Sequence, residues 1–169
     1  MQRIMIIGGP GSGKSTVARR LGAATGLPVV HIDPMYWAPG WVQRSVDETY
    51  AMVEQAVRGP AWIFEGNNTP TLSMRAERAD LILFLDMPRR LRMCRLVMRT
   101  LRYLGRTRPD MAPGCPERFD LAFFRFAWAY EDGGRLRARA FCTQWQGRRE
   151  VLRLTSPEEV EAFLKTCEG

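Results

Sequence analysis

The chain has 169 residues, 46% hydrophobic and 25% charged, a size and mix that suit one domain with its own core and leave no room for a second. Only four apolar residues follow Met1-Gln2-Arg3, too few for a secretory signal, and no apolar run approaches the roughly 18 residues that span a bilayer, so a soluble cytoplasmic protein without a membrane partner is expected. A net charge of +7 would point to nucleic acid if it were spread out, but residues 89–108 hold eight arginines and no acid while the rest of the chain is close to neutral.

Ile4-Met5-Ile6-Ile7, an unbroken apolar run ended by Gly8-Gly9-Pro10, reads as a strand buried on both faces. A helix is expected after the glycines, with Val17, Leu21 and Ala24 as its core face and Gly26-Leu27-Pro28 as its stop. Val29 to Ile32 and Trp62 to Glu65 read as further strands. Between them Ser45 and Glu48 form a capping box, and Val46, Tyr50, Val53 and Val57 share one helical face. Leu81 to Asp86 is a fourth strand. Pro88, whose missing N–H would lack a partner in a first turn anyway, opens a helix predicted to reach about Leu104. Arg106 to Pro116, with three prolines and a glycine, is a loop, and Phe119 to Tyr130 an aromatic-rich helix. Glu150 to Leu154 is a fifth strand, followed by a last helix capped by Ser156-Pro157-Glu158-Glu159 and packed through Val160, Phe163 and Leu164. Strands alternating with helices predict an α/β fold of three layers: a five-stranded parallel sheet with helices on both faces and ligands at the carboxyl ends of the strands.

Gly8 to Ser15 fits the phosphate-loop pattern G-x-x-x-x-G-K-[ST], between a predicted strand and a predicted helix. Gly8, Pro10, Gly11, Ser12 and Gly13 allow consecutive backbone N–H groups to face phosphate oxygens, with Thr16 continuing into the helix whose dipole favours anions. Lys14 supplies a mobile charge to the β and γ phosphates and the Ser15 hydroxyl a ligand for Mg²⁺. Lysine here is telling, because Lys165 is the only other one and every remaining residue among the 25 positive ones is arginine. ATP or a close relative, with Mg²⁺, is the expected cofactor.

Three acids end predicted strands or follow them. Asp33 is placed to deprotonate an acceptor hydroxyl or hold a metal-bound water, with a turn role before Pro34 as the alternative. Glu65 would be costly to bury without a metal or partner. Asp86 is read as a helix N-cap at least as readily as a catalytic acid. His31 is read as a packed strand residue. Cys94, Cys115, Cys142 and Cys167 lie too far apart for a C-x-x-C site and are read as thiols. At helical spacing Arg95, Arg99, Arg102 and Arg106 form a cationic stripe with no acid three or four residues away inside the helix, so a polyanion is expected against it. Arg89, Arg90 and Arg92 are read as solvated surface. Trp37 and Trp41 are read as core, with stacking on a flat base as the alternative.

GGPGSGKST, IFEGN (Ile63 to Asn67) and FLDMPRRLRMCRLVMR (Phe84 to Arg99) together resemble the adenylate-kinase-like branch of P-loop kinases over most of the chain. HIDPMYWAPGW (His31 to Trp41), GRTRPDMAPGCPERFD (Gly105 to Asp120) and the aromatic helix beyond resemble, more narrowly, the bacterial group labelled DNA topology modulation proteins, a label for a phenotype. The resemblance implies a lid at about 105–118, an acceptor segment at about 33–60, Glu65 as the acid holding Mg²⁺ through water, Arg95 stacked near the base and Arg99 on phosphates. It places further phosphate-binding arginines near Arg118 and Arg125. It also implies arginines that clamp an acceptor phosphate where this chain has Trp37 and, beyond Gly66, about Thr69; Arg44 and Arg75 are the nearest replacements, unless the acceptor carries no phosphate.

The expected activity is therefore transfer of the γ-phosphoryl of ATP to a small acceptor, with Lys14, Asp33, Arg99, Arg102 and Arg106 as the catalytic set. The rival expectation is a nucleotide-dependent DNA-binding ATPase whose arginine stripe grips backbone phosphates.

Overall fold

The computed structural model describes residues 1–167. The first apolar run forms β1 (Arg3–Gly8), which pairs in parallel with β5 (Trp62–Glu65) on one side and β6 (Leu81–Leu85) on the other. The edges are β2 (Val29–His31), parallel to β5, and β7 (Glu150–Leu154), parallel to β6, giving the order β2-β5-β1-β6-β7. The expected five-stranded parallel sheet is present.

Alternation along β1 divides the core in two. Ile4 and Ile6 face a cluster with Val17 and Leu21 of α1 (Lys14–Thr25) and Val160 and Leu164 of α8 (Pro157–Cys167). Met5 and Ile7 face the other side, against Val53 and Val57 of α3 (Val46–Val57), Ala76 of α4 (Leu72–Arg78) and Cys142 and Trp145 of α7 (Gly134–Trp145). A strand covered on both sides needs apolar residues at every position, and each such aliphatic side chain contributes about 1.5–3 kcal/mol. The edge strand β2 is only half-buried, because it has a neighbour on one side alone.

Several element boundaries agree with the sequence, including Trp62–Glu65, Glu150–Leu154 and the Ser45–Glu48 capping box, and α5 (Arg89–Tyr103) runs as expected from Pro88. The aromatic helix is α6 (Leu121–Ala129), capped by the Asp120 carboxylate, which accepts from Phe123 N. Other expectations need correction. In α1 the third buried residue is Ala18, and Ala24 is exposed. In α3, Val46 and Tyr50 lie outward at 58% and 43% exposure.

Five elements carry no legible sequence signal: α2 (Asp33–Tyr36), the two-residue antiparallel pair β3 (Trp37–Ala38) and β4 (Val42–Gln43), α4 and α7. Asp86 is not a helix cap. Its carboxylate, 1% exposed, is ringed by Arg135 and Arg139 of α7 and Arg153 of β7. These hydrogen bonds and charges outweigh the cost of burial and hold Asp86 below the usual carboxylate range. Among the described residues no helix is long and apolar enough to cross a membrane, and all four cysteines are free thiols.

Candidate active site

The chain leaves β1 through a turn that only glycine can make. Gly11 and Gly13 adopt φ of 77° and 96°, and a Cβ on Gly11 would lie 2.3 Å from the Arg92 carbonyl oxygen. A Cβ on Gly9 would meet the Tyr130 ring at 2.7 Å. The loop is thus pressed against α5 and the 3₁₀ turn Tyr130–Asp132, and it delivers its N–H groups to the start of α1, where Gly13 is the N-cap and has no side chain to satisfy them. Arg92 holds it from below, donating to Pro10 O and Ala127 O at 3.2 Å and pairing with Glu131 at 3.1 Å. This arginine is 1% exposed, which corrects its reading as solvated surface. Arg89 also has partners, Asp132 at 3.0 Å and the Trp128 ring at 4.9 Å.

Around the loop's carboxyl end several polar groups meet in one cleft of about 1810 Å³. Lys14 Nζ donates to Gly9 O at 3.1 Å. Burial pushes the Lys14 ammonium down, while Glu65 and Asp33 oppose that shift. Ser15 Oγ donates to Glu65 at 3.0 Å, and the same Glu65 oxygen lies 2.6 Å from His31 Nδ1. His31 therefore serves as a partner for Glu65 on the edge strand, in keeping with a structural role. Asp33 opens α2 at the end of β2; burial, then the charge of Glu65, raises its pKa, with Arg108 and Lys14 pulling it back. Ser12 Oγ, at 2% residue exposure, has no hydrogen-bond partner.

Residues of the 105–118 segment complete the cleft. Arg108, 9% exposed, pairs with Asp110 at 3.0 Å and Glu117 at 2.8 Å. Burial raises the Asp110 pKa, but the Arg108 charge, then the Ser15 hydroxyl, more than compensate and hold it low. Arg108 and Asp110 were not recognised in the sequence, where Arg108 was one arginine of eight and Asp110 a lone acid between prolines. The 105–118 segment is docked on the β3–β4 hairpin: Gly40 N donates to Gly114 O at 3.0 Å and Trp41 Nε1 to Pro116 O at 3.0 Å. Trp37 and Trp41, partly buried, pack on Met111, Ala112 and Cys115, and both also line the cleft. Trp41 takes a left-handed φ of 63°, held there by these contacts.

The arginine stripe is not an unpaired polycation. Arg95 donates to Ser12 O at 3.0 Å. Arg99 pairs with Glu117 at 3.1 Å and lies 5.6 Å from the Phe123 ring centroid. The acids come from outside the helix, which an i±4 search cannot see. Arg102 lies at the cleft, exposed beside its neighbour Tyr103. Arg106 falls beyond the helix end and does not line the cleft; that removes it from the expected catalytic set.

Of the residues expected to bind an acceptor, Asp33, Trp37, Gly66 and Arg118 line the cleft, together with Asn67. Asn67 clamps the first glycine of the loop, accepting from Gly8 N at 3.2 Å and donating to Gly8 O at 2.8 Å. Arg44, Arg75 and Arg125 do not line it. Arg125 projects from the exposed side of α6 and Arg44 sits at the base of the β3–β4 turn. Arg75 is 0% exposed: Nη1 donates to Gly66 O at 2.8 Å, Nε to Thr71 O at 3.4 Å, and the guanidinium lies over Phe64 at 5.2 Å, with burial pushing its pKa down to about 9. Arg75 thus shapes the 66–71 loop instead of touching a substrate. Arg75→Ala is expected to lower stability by about 2–4 kcal/mol through the cavity and the unpaired Gly66 carbonyl, and urea melts check it: an unchanged midpoint contradicts this structural role. Arg137 of α7, without an ion-pair partner among the described residues, also lines the cleft, a cation the sequence reading did not single out.

No family model and no curated protein matches the chain. Solved structures do. An unliganded sugar kinase from a Janibacter species is 14% identical, with 98% of this chain and 93% of that chain covered at a TM-score of 0.51. A shikimate kinase from Acinetobacter baumannii, in complex with shikimate, is likewise 14% identical, with 98% and 90% covered at a TM-score of 0.62. At that identity the likeness concerns architecture: the chain has an α/β P-loop fold, a five-stranded parallel sheet with helices around it, similar to these kinases.

Proposed function

We propose that the protein is an ATP-dependent phosphotransferase that moves the γ-phosphoryl group to a hydroxyl of a small acceptor. The observation that carries this reading is the meeting of Lys14, Ser15, Asp33 and Arg108 in a single cleft at the carboxyl ends of β1, β2 and β5. Folds similar to a sugar kinase and a shikimate kinase support it, as does the sequence resemblance to adenylate-kinase-like P-loop kinases.

In this reading the loop N–H groups and Lys14 hold the β and γ phosphates, and Arg95 flanks the base. The unpartnered Ser12 hydroxyl lies in the same loop, ready to donate to a phosphate. Asp33 takes the proton of the acceptor hydroxyl as its oxygen bonds to the γ-phosphorus, and the bond from that phosphorus to the β–γ bridging oxygen breaks, leaving ADP. Arg99 and Arg108 face the charge that spreads over the transferred group. The residues present fit Mg²⁺: Ser15 offers one hydroxyl beside Glu65 and Asp110, and among the described residues no group of three or more His, Cys, Asp or Glu forms a closed metal cage. When bound, the ion neutralises phosphate charge. A neutral or anionic acceptor suits the cations Arg118 and Arg137 of the cleft, whereas the two-arginine clamp of nucleoside monophosphate kinases has no counterpart at Trp37 and Thr69.

A screen of nucleosides, nucleotides, sugars and small hydroxy acids for acceptor-dependent ADP release tests this function, and no release with any of them would contradict it. Arg99→Ala is expected to lower kcat by on the order of 10² once an acceptor is in hand, with little change in Tm because Glu117 keeps Arg108. Arg106→Ala should leave kcat within about threefold, as surface substitutions do. Equal losses in both variants would show that the whole stripe acts as one.

A further inference from the structure

A second cavity, of about 220 Å³, lies between α7 and β7. Arg139, Thr143 and Gln146 line it from α7 and its C-terminal end, Arg153 from β7, over Phe84 and Val151. It is separate from the phosphate-loop cleft, which takes Arg137, Phe141 and Gln144 from α7.

Positive charge here exceeds what the nearby acids neutralise. Asp86 Oδ2 accepts from Nε and Nη2 of Arg139 at 3.1 and 3.0 Å and from Nε of Arg153 at 2.7 Å, with Arg153 Nη2 in ion-pair contact at 2.6 Å. Three donors converge on an oxygen with two lone pairs, and a fourth nitrogen lies against it. The other carboxylate oxygen takes Arg135 at 2.5 Å. Arg135 also contacts Glu131, but Glu131 is shared with Arg92. Four guanidinium groups thus meet Asp86 and Glu131, with Glu159 as a third acid whose charge acts on Arg153. Arg139 and Arg153 keep 40% and 47% of their side-chain surface open, and the side chains of Thr143 and Gln146 have no hydrogen-bond partner among the described residues. The wall adds no further negative charge: burial, then the charge of Asp86, pushes the Cys142 thiol up to about 12.

We propose that this cavity is an oxyanion site for one phosphate group, taken as inorganic phosphate or as the phosphate of a small monoester. Two guanidinium forks from different elements, with a hydroxyl and an amide between them, match an ion whose several oxygens each accept more than one hydrogen bond. The volume holds a phosphate and a short chain and excludes a nucleotide.

The test is calorimetric titration of the intact protein at constant ionic strength, with inorganic phosphate in one arm and glycerol 3-phosphate in the other. Because phosphate also fits the loop of Lys14, the titration is run on wild type and on Lys14→Ala. Lys14→Ala should retain one phosphate per chain with millimolar Kd. Adding Arg139→Gln should weaken that binding about tenfold, the loss of one charge-assisted hydrogen bond. Thr143→Val with Gln146→Leu, which leaves every ion pair of Asp86 in place, should weaken it without a fall in Tm. Tighter binding of the monoester identifies a phosphorylated ligand, and equal binding identifies free phosphate. Loss of all phosphate binding on Lys14→Ala alone, or binding unmoved by the cavity substitutions, would overturn the proposal while leaving the phosphotransferase reading untouched.

Discussion

Lys14→Ala is expected to lower phosphoryl transfer by on the order of 10³ while the protein stays folded. The ammonium is the cation most directly aimed at the loop's ligand, and its resting contact is a single carbonyl, Gly9 O at 3.1 Å. Burial already pushes its pKa below 10.5 in the absence of phosphate. Removing it relieves a desolvation cost, so Tm should not fall. Lys14→Arg should fail to rescue transfer, because the planar fork is bulkier and differently directed, and the loop has no slack to move: Gly11 already sits where a Cβ would touch the Arg92 carbonyl. Initial rates beside a thermal melt check this, and normal turnover in either folded variant would remove the phosphate loop from the mechanism.

Asp33→Asn is expected to lower kcat by about 10²–10⁴, the usual contribution of a positioned general base. Burial, then Glu65, raises the Asp33 pKa above 3.8. A base works deprotonated, so kcat should rise with pH through an acid limb displaced above the ordinary carboxylate range, and that limb should vanish in the variant. The stability sign runs the other way. A carboxyl with a raised folded pKa contributes stability below its unfolded pKa and loses it as pH rises through the folded one. Asp33→Asn should therefore be at least as stable as wild type at neutral pH. A variant with full kcat and an unchanged acid limb would make Asp33 a turn residue only.

Which parts of this were legible in sequence follows from where the determining contacts lie. The phosphate loop is local: its glycines, lysine and serine are contiguous, and the strand before it is apolar at every position because it is central in the sheet. The helix from Pro88 and the capping box at Ser45 and Glu48 are local as well. Pairings across long separations were not legible. Arg99 lacks an acid on its own helix and finds Glu117 from the 105–118 segment, Arg92 finds Glu131, and Asp86 finds arginines 49 to 67 residues away. Arg75 looked like a substrate ligand, yet its position in α4 places it under the 66–71 loop instead. Short elements such as α2 and the β3–β4 pair were not legible because no periodicity can announce a segment of two to four residues.

The same pairings weaken the DNA-binding alternative. Of the basic segment, Arg89, Arg92, Arg95, Arg99 and Arg108 are engaged within the protein. Backbone phosphates would meet chiefly Arg90, Arg102 and Arg106, too few for salt-resistant binding.

The most direct measurement follows the label of γ-³²P-ATP in the presence of Mg²⁺ and each small hydroxylated acceptor, with duplex DNA as a parallel arm. The phosphotransferase account predicts that the label moves to an acceptor with ADP formed in equal amount, that Lys14→Ala stops the transfer, and that DNA changes neither rate nor product. Label released only to water, at a rate raised by DNA and by no small molecule, would contradict it.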